Sequence, residues 1–263
     1  MVELDKNSML YWFEKVRKLP VPKPKTAILK LDEQLVDEIF ECYYSDRRSA
    51  ELEVKIEEVY RLLRRCVIAV GGFPAFLRSD QTSGKNFVVS GEPLYLLKNE
   101  GDFEKIWALI VECHEPMNIL MFAPPKPKAL VVREWLKIER WTGKITKYNT
   151  IEVRVFAEKG EIKKIYPYFH WSGLKRHLAY LGASEESLYE DYVGNYLVAI
   201  KRGLRDIIRY AKTISSIFDE EWSIDFALAN GKWFFIDMAL AETSWRPSEE
   251  DETDRLLEEH WRC

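Results

Sequence analysis

Two carboxylates, Asp225 and Asp237, stand on either side of Asn230-Gly231 in a stretch that reads as a β-hairpin, with Trp222-Ser223-Ile224-Asp225-Phe226 before the turn and Phe235-Ile236-Asp237-Met238 after it. Which side chains share a face depends on the loop length. A two-residue loop pairs Ala229 with Lys232 and sets Asp237 beside Ile224, mixing a carboxylate into the apolar side. A three-residue loop, Ala229 to Gly231 with Gly231 left-handed in a bulge, pairs Leu228 with Lys232 and separates the faces. One face is then Ile224, Phe226, Leu228, Phe234, Ile236 and Met238. The other carries Ser223, Asp225 and Asp237, with Trp233 and Phe235 toward the turn. In this register the two acids are diagonal neighbours about 7 Å apart, near enough to share Mg²⁺ held by carboxylate oxygens at about 2.0 to 2.1 Å. Such a face is either simply solvated or holds a cation.

Other runs supply positive charge. Strand alternation in Ile151 to Phe156 turns Glu152, Arg154 and Phe156 one way and Val153 and Val155 the other. Arg78 ends the apolar run Ala75-Phe76-Leu77 and is followed by Thr82-Ser83-Gly84-Lys85. A short Ser/Gly loop of this kind could wrap phosphate oxygens with backbone amides, Arg78 giving a planar fork and Lys85 a point charge. It lacks the spaced glycines of a Walker loop. His170 and His177 read as packing with a hydrogen bond, Trp245 and Arg246 as surface packing, and Glu249-Glu250-Asp251-Glu252 as a solvated run. No Ser/His/Asp pattern, HExxH or Cys with a His partner stands out.

The elements that must position these groups follow from patterning. Met9, Trp12, Phe13 and Val16 recur at helical spacing and stop at Pro20-Val21-Pro22-Lys23-Pro24. Leu35, Ile39 and Tyr43, then Leu52, Ile56, Val59 and Leu63, repeat the same period, so residues 1–70 read as an N-terminal helical cap. After Gly71-Gly72 strands dominate: Ala75 to Arg78, Ala129 to Ile138, Ile151 to Ala157, Ile162 to Trp171, Ser223 to Leu228 and Trp233 to Met238. Helices are expected from about Asp102 to Cys113 and, as one long element, from about Glu185 to Ile217. The Pro-rich Ala123 to Lys128 reads as an extended connector.

Composition bounds the function. The 263 residues carry 39 Lys+Arg against 43 Asp+Glu, a formal charge of −4, which gives no long-range field for nucleic acid or anionic lipid; such a contact would need a local patch. With 13% aromatic residues the chain has the means to build a core. No apolar run approaches the roughly 20 residues of a membrane-spanning helix. Cys42, Cys66, Cys113 and Cys263 form no metal-binding spacing and read as thiols in a cytoplasm.

In serial order, Phe76-Leu77-Arg78-Ser79-Asp80 with Lys85, Val131-Val132-Arg133-Glu134-Trp135-Leu136, Ile151 to Phe156, Trp222 to Phe226 and Phe235 to Leu240 resemble the ATP-grasp superfamily over about two-thirds of the chain, Phe76 to Pro247. The likeness is to a compact branch that includes viral and prokaryotic ATP-grasp proteins and the eukaryotic cell-division-cycle proteins that assist assembly of a translation initiation factor. It implies an α+β fold, two subdomains with largely antiparallel sheets gripping a nucleotide: residues 71–263, divided into 71–135 and 136–263, after the helices of 1–70. Arg78 and Lys85 would then contact phosphates. Glu134-Trp135-Leu136 would line the adenine edge, with Glu139 on the ribose. Arg154 would be the phosphate-side catalytic arginine, and Asp225 and Asp237 would hold Mg²⁺ against the β and γ phosphates of ATP. The sequence departs from the family at Ala239, where Asn is usual; Glu242 would substitute, or a single metal would bind, or catalysis would be impaired. The implied activity is a Mg-ATP-dependent ligase that activates a carboxylate, on a small molecule or on a protein or peptide, as an acyl phosphate. The alternatives are an ATP-binding assembly factor without turnover and, more remotely, a phosphotransferase on the same scaffold.

Overall fold

The structure is a computed structural model and describes residues 5–45, 48–82, 88–89, 92–112, 126–142, 149–176 and 184–246. They divide into two compact units, the first made of Met1–Leu10 and Pro24–Trp135, the second of Tyr11–Lys23 and Leu136–Cys263. Helix α1 (Met9–Val16) straddles that division in sequence.

In the first unit, strand β1 (Thr26–Lys30) is followed by helices α2 (Glu33–Ser45) and α3 (Ala50–Val70), then β2 (Ala75–Ser79), the short β3 (Val88–Val89), β4 (Glu92–Pro93) and β5 (Leu96–Leu97), helix α4 (Lys105–Glu112) and β6 (Ala129–Glu134). The main sheet runs β1-β6-β2-β5 with every pair antiparallel, and β3 pairs with β4 alone. Strand β1 lies inside the stretch of residues 1–70 that spacing alone reads as helical, and corrects that reading there. Three prolines, at positions 20, 22 and 24, hold the backbone extended into Thr26-Ala-Ile-Leu-Lys, which then finds the edge of β6. Helix α3 buries Leu52, Ile56, Val59, Leu63, Val67 and Val70 along one stripe, against Leu35, Val36 and Ile39 of α2, Ile106 and Ile110 of α4, and Ala75, Leu77, Leu130 and Val132 of the sheet.

Local chemistry sets the limits of α3. The Ser49 hydroxyl accepts from the Leu52 N–H at the start, and Gly71, at φ 116°, takes the left-handed conformation that ends it. Replacing Ser49 by Ala should cost about 1 kcal/mol of stability. The denaturant midpoint would report this, and an unmoved midpoint would mean that the backbone alone holds the helix start.

The second unit holds β7 (Glu152–Glu158), β8 (Glu161–Pro167), helices α5 (Trp171–Arg176) and α6 (Glu185–Asp191), a π-helical stretch Tyr192–Leu197, helix α7 (Val198–Ser215), β9 (Trp222–Ala229) and β10 (Lys232–Leu240). Its antiparallel sheet runs β10-β9-β7-β8. The helix expected as one element from about 185 to 217 is thus interrupted by a wider turn, over which Tyr192, Tyr196 and Leu197 stay buried. Helix α7 lies on the side of the sheet that bears Phe226, whose ring centroid is 6.4 Å from that of Tyr210. Gly203 of α7 backs directly onto the Trp233 indole of β10. Trp12, from the N-terminal segment, meets Phe235 edge-on at 5.6 Å. Among the described residues no helix is long and apolar enough to cross a membrane.

Candidate functional site

The hairpin that carries the acids is tighter at its turn, and less regular beyond it, than the sequence reading expects. Ala229 pairs with Lys232, so the loop is Asn230 and Gly231 alone, with φ of 50° and 71°. Both are left-handed, as a type I′ turn requires. A two-residue loop would place Asp237 among the core residues were the ladder unbroken. It is broken: a bulge between Phe235 and Asp237 inserts Ile236 as an extra residue and returns Asp237 to face Asp225 directly. The acids are therefore opposite rather than diagonal. Trp233 and Phe235 pair with Leu228 and Phe226 and are buried with the core, which corrects their assignment to the acid face.

The next strand completes a row. Arg154 on β7 pairs with Asp225 on β9, which pairs with Asp237 on β10. Arg154 forks onto Asp225, Nε donating to Oδ1 at 2.8 Å and Nη2 to Oδ2 at 2.9 Å, with the two side chains 17% and 5% exposed. Burial works against the arginine charge, but the Asp225 carboxylate and the hydrogen bonds to it prevail and hold the Arg154 pKa above the usual arginine range. The same guanidinium stands 4.8 Å from the Tyr168 ring centroid.

The chain beyond β10 folds back toward this row. Ser244 and Ser223 share a hydrogen bond of 2.5 Å between hydroxyls, and the Trp245 carbonyl accepts from Arg154 Nη1 at 3.4 Å. The half-exposed Trp245 indole meets the buried His170 ring at 4.4 Å. Arg246 lies 4.3 Å over Phe156 and pairs with Glu221 at 2.8 Å. The packing reading of His170, Trp245 and Arg246 therefore describes their contacts, whereas the tie from Trp245 to Arg154 had no signal in the sequence, because it runs through a backbone carbonyl. His177 and Glu249 to Glu252 lie outside the described residues, as do Cys113 and Cys263.

Asp225 and Asp237 offer hard oxygen donors across one strand pair, Asp225 already accepting two N–H bonds from Arg154. That donor set fits Mg²⁺ held jointly with phosphate oxygens rather than caged by protein alone. Among the described residues no group of three His, Cys, Asp or Glu side chains stands close enough to hold a metal ion. Glu242, exposed on the turn Ala241–Thr243, is not brought into a trio with the two aspartates. Ala239 pairs with Ser223 and contributes no donor.

In the first unit, Arg78 is buried on β2 at 4% exposure, and its Nε donates to the Ser79 carbonyl at 3.1 Å. Lys85 lies outside the described residues. Sequence reasoning passed over Asp80, which is fully buried and accepts from the Ser8 hydroxyl at 2.6 Å and from the backbone N–H groups of Lys128 and Ala129 at 2.8 and 3.0 Å. It clamps the N-terminal segment and the start of β6 to the end of β2. Glu134 ends β6 with Oε2 accepting from the Lys25 N–H at 3.1 Å, and the Trp135 ring stands 6.4 Å from Phe76. In the second unit, the Leu136 carbonyl accepts from the Ile138 N–H at 2.9 Å. Glu139 accepts at Oε1 from the Gly231 N–H at 2.6 Å, fixing the tip of the hairpin that carries the acids.

No family model matches the sequence, and no curated protein sequence matches it. Solved structures do. Cdc123 from Schizosaccharomyces pombe, in a C-terminally truncated form, superposes with a TM-score of 0.53 at 14% identity, over 97% of this chain and 96% of that one. A second structure of Cdc123 from the same organism gives a TM-score of 0.52 at 13% identity, over 91% of this chain and 87% of the other. The fold is an ATP-grasp fold. Within it the similarity takes in Cdc123, and the helices and antiparallel sheets of this chain are consistent with that fold. D-alanine–D-alanine ligase from Bacillus anthracis, solved with ATP, is more distant, with a TM-score of 0.43 at 10% identity over 96% of this chain and 60% of that one. In this ATP-grasp fold the row Arg154, Asp225 and Asp237 lies on the sheet of the second unit, on the strands that also carry its core.

Proposed function

We propose that the protein binds Mg-ATP and uses it to activate a carboxylate as an acyl phosphate for attack by a nucleophile. The observation that carries this reading is the placement of Asp225 directly opposite Asp237, produced by the bulge at Ile236. Asp225 and Asp237 would hold the metal, which when bound supplies positive charge to the phosphates. Arg78 and Lys85 would contact phosphate oxygens, Glu134, Trp135 and Leu136 the base, and Glu139 the ribose. Arg154 would hold Asp225 in place and keep cationic charge beside the transferred group. The substrate would be a carboxylate on a small molecule or on a protein or peptide. Cys42 and Cys66 are free thiols, which suits a cytoplasmic location.

One observation favours a second reading. Ala239 offers no ligand at the position two residues beyond Asp237, as an ATP-binding assembly factor without ligase turnover would tolerate. Titration calorimetry with ATP, with and without Mg²⁺, tests the site. Asp225→Asn and Asp237→Asn should each weaken binding with the metal by about tenfold or more and binding without it far less. Equal losses in both conditions would sink the metal-ligand assignment. Release of ADP that depends on an added carboxylate would support the ligase, whereas tight binding with no turnover over a broad carboxylate panel would support the assembly factor.

A further inference from the structure

The outward side of α7, away from the sheet, carries Lys201, Arg202, Arg205, Arg209 and Lys212, all exposed. At 3.6 residues per turn they fall within an arc of about 100° and form a stripe about 16 Å long. Asp206 is the one acid in the helix, and it pairs with Arg209 at 2.7 Å, both side chains being more than half exposed. A pair so exposed contributes little and leaves the arginine open to exchange. Among the described residues Arg202, Arg205 and Lys212 make no ion pair.

This arrangement costs the helix something. Lys201 with Arg205, and Arg205 with Arg209, are like charges four residues apart, which repel on a helix surface. Solvated helix faces ordinarily mix signs, and this chain has acids in excess to mix with. An anionic partner laid along the stripe would relieve the repulsion.

We infer that the α7 stripe docks an acidic segment of polypeptide. A narrow acidic segment matches it in width and in charge. Because α7 has its inner side on the Phe226 side of the sheet, the outward stripe is separate from the acid row, and a partner bound there would not cover Asp225 and Asp237.

The test uses the full chain and a labelled Glu-rich peptide of about 12 residues, the helical length of the stripe. Fluorescence anisotropy should show binding at low salt that weakens steeply toward physiological salt. The triple reversal Arg202→Glu, Arg205→Glu, Lys212→Glu should weaken it by at least about tenfold, and the Gln triple at the same positions should fall in between. Asp206→Lys should strengthen it. The Gln triple also serves if the reversal fails to fold, with melting temperature checked for each. Peptide binding indifferent to these changes would overturn the inference. So would tighter binding of a single-stranded RNA of matched charge, or self-association in sedimentation that the reversal abolishes, either of which would assign the stripe to another occupant.

Discussion

Arg154→Met should destabilise the protein by about 3 to 5 kcal/mol, because it leaves the Asp225 carboxylate buried without its partner. The magnitude follows from burial: with Asp225 only 5% exposed, water cannot replace the two hydrogen bonds that the guanidinium supplies. Urea denaturation of wild type and variant gives the difference directly. Asp225→Leu in the Arg154→Met background should recover most of the loss, since an apolar pair of similar volume carries no desolvation cost. A loss below about 1 kcal/mol in the single variant would mean that the pair is effectively solvated. The arginine's folded pKa lies above its unfolded value, so its contribution is complete at every pH below the ordinary arginine pKa, and raising the pH to about 10 should leave the difference unchanged. Removing Arg154 also removes a positive charge from beside the metal-ligand candidates. Affinity for Mn²⁺ alone should therefore rise in the variant, provided it remains folded at the assay temperature.

Gly203→Ala is expected to destabilise, against the usual sign for such a change inside a helix. In open helical surroundings the substitution gains about 1 kcal/mol. Here the new Cβ would fall 1.8 Å from Trp233 Nε1 and 2.6 Å from Cδ1 and Cε2. The buried indole cannot yield without leaving its place against α7, so an overpacking cost of about 3 kcal/mol prevails and the net loss is roughly 2 kcal/mol. A double-mutant cycle decides the cause. In a Trp233→Val background Gly203→Ala should be neutral or stabilising, and a loss of the same size in both backgrounds would place the effect elsewhere.

How far the chain was legible from its residues varies with the range of the interactions involved. Helical spacing found α3, whose apolar stripe, Ser cap and Gly stop all lie within the segment itself. The location of both acids on one hairpin was equally local. Their register was not, because Ile236 is apolar and fits the alternation of a core residue while it is in fact the extra residue of a bulge. Arg154 could be assigned to a strand face by alternation, but its partner comes from pairing β7 with β9, 71 residues apart in sequence, and nothing in either run announces it. Asp80 and Glu139 escaped structural assignment for the same reason, since each carboxylate accepts from backbone N–H far along the chain. Strand β1 was lost to a different cause: a five-residue strand flanked by helical patterning has too short a run to overrule its neighbours.

The Ile236 bulge also divides the hairpin into two halves that can vary separately. Between turn and bulge, one parity of positions answers to packing, with Trp233 and Phe235 pressed against α7 and Trp12. Past it, the same parity turns outward and bears Asp237. Substitutions in the turn-proximal half can therefore retune the core without re-aiming the carboxylate, and changes around Asp237 can alter its chemistry without reopening the core. Deleting Ile236 would leave a regular ladder with Phe235 still opposite Phe226 and Asp237 still opposite Asp225, whereas drawing Ile236 into the ladder would send every side chain from Asp237 to Leu240 to the other side of the sheet.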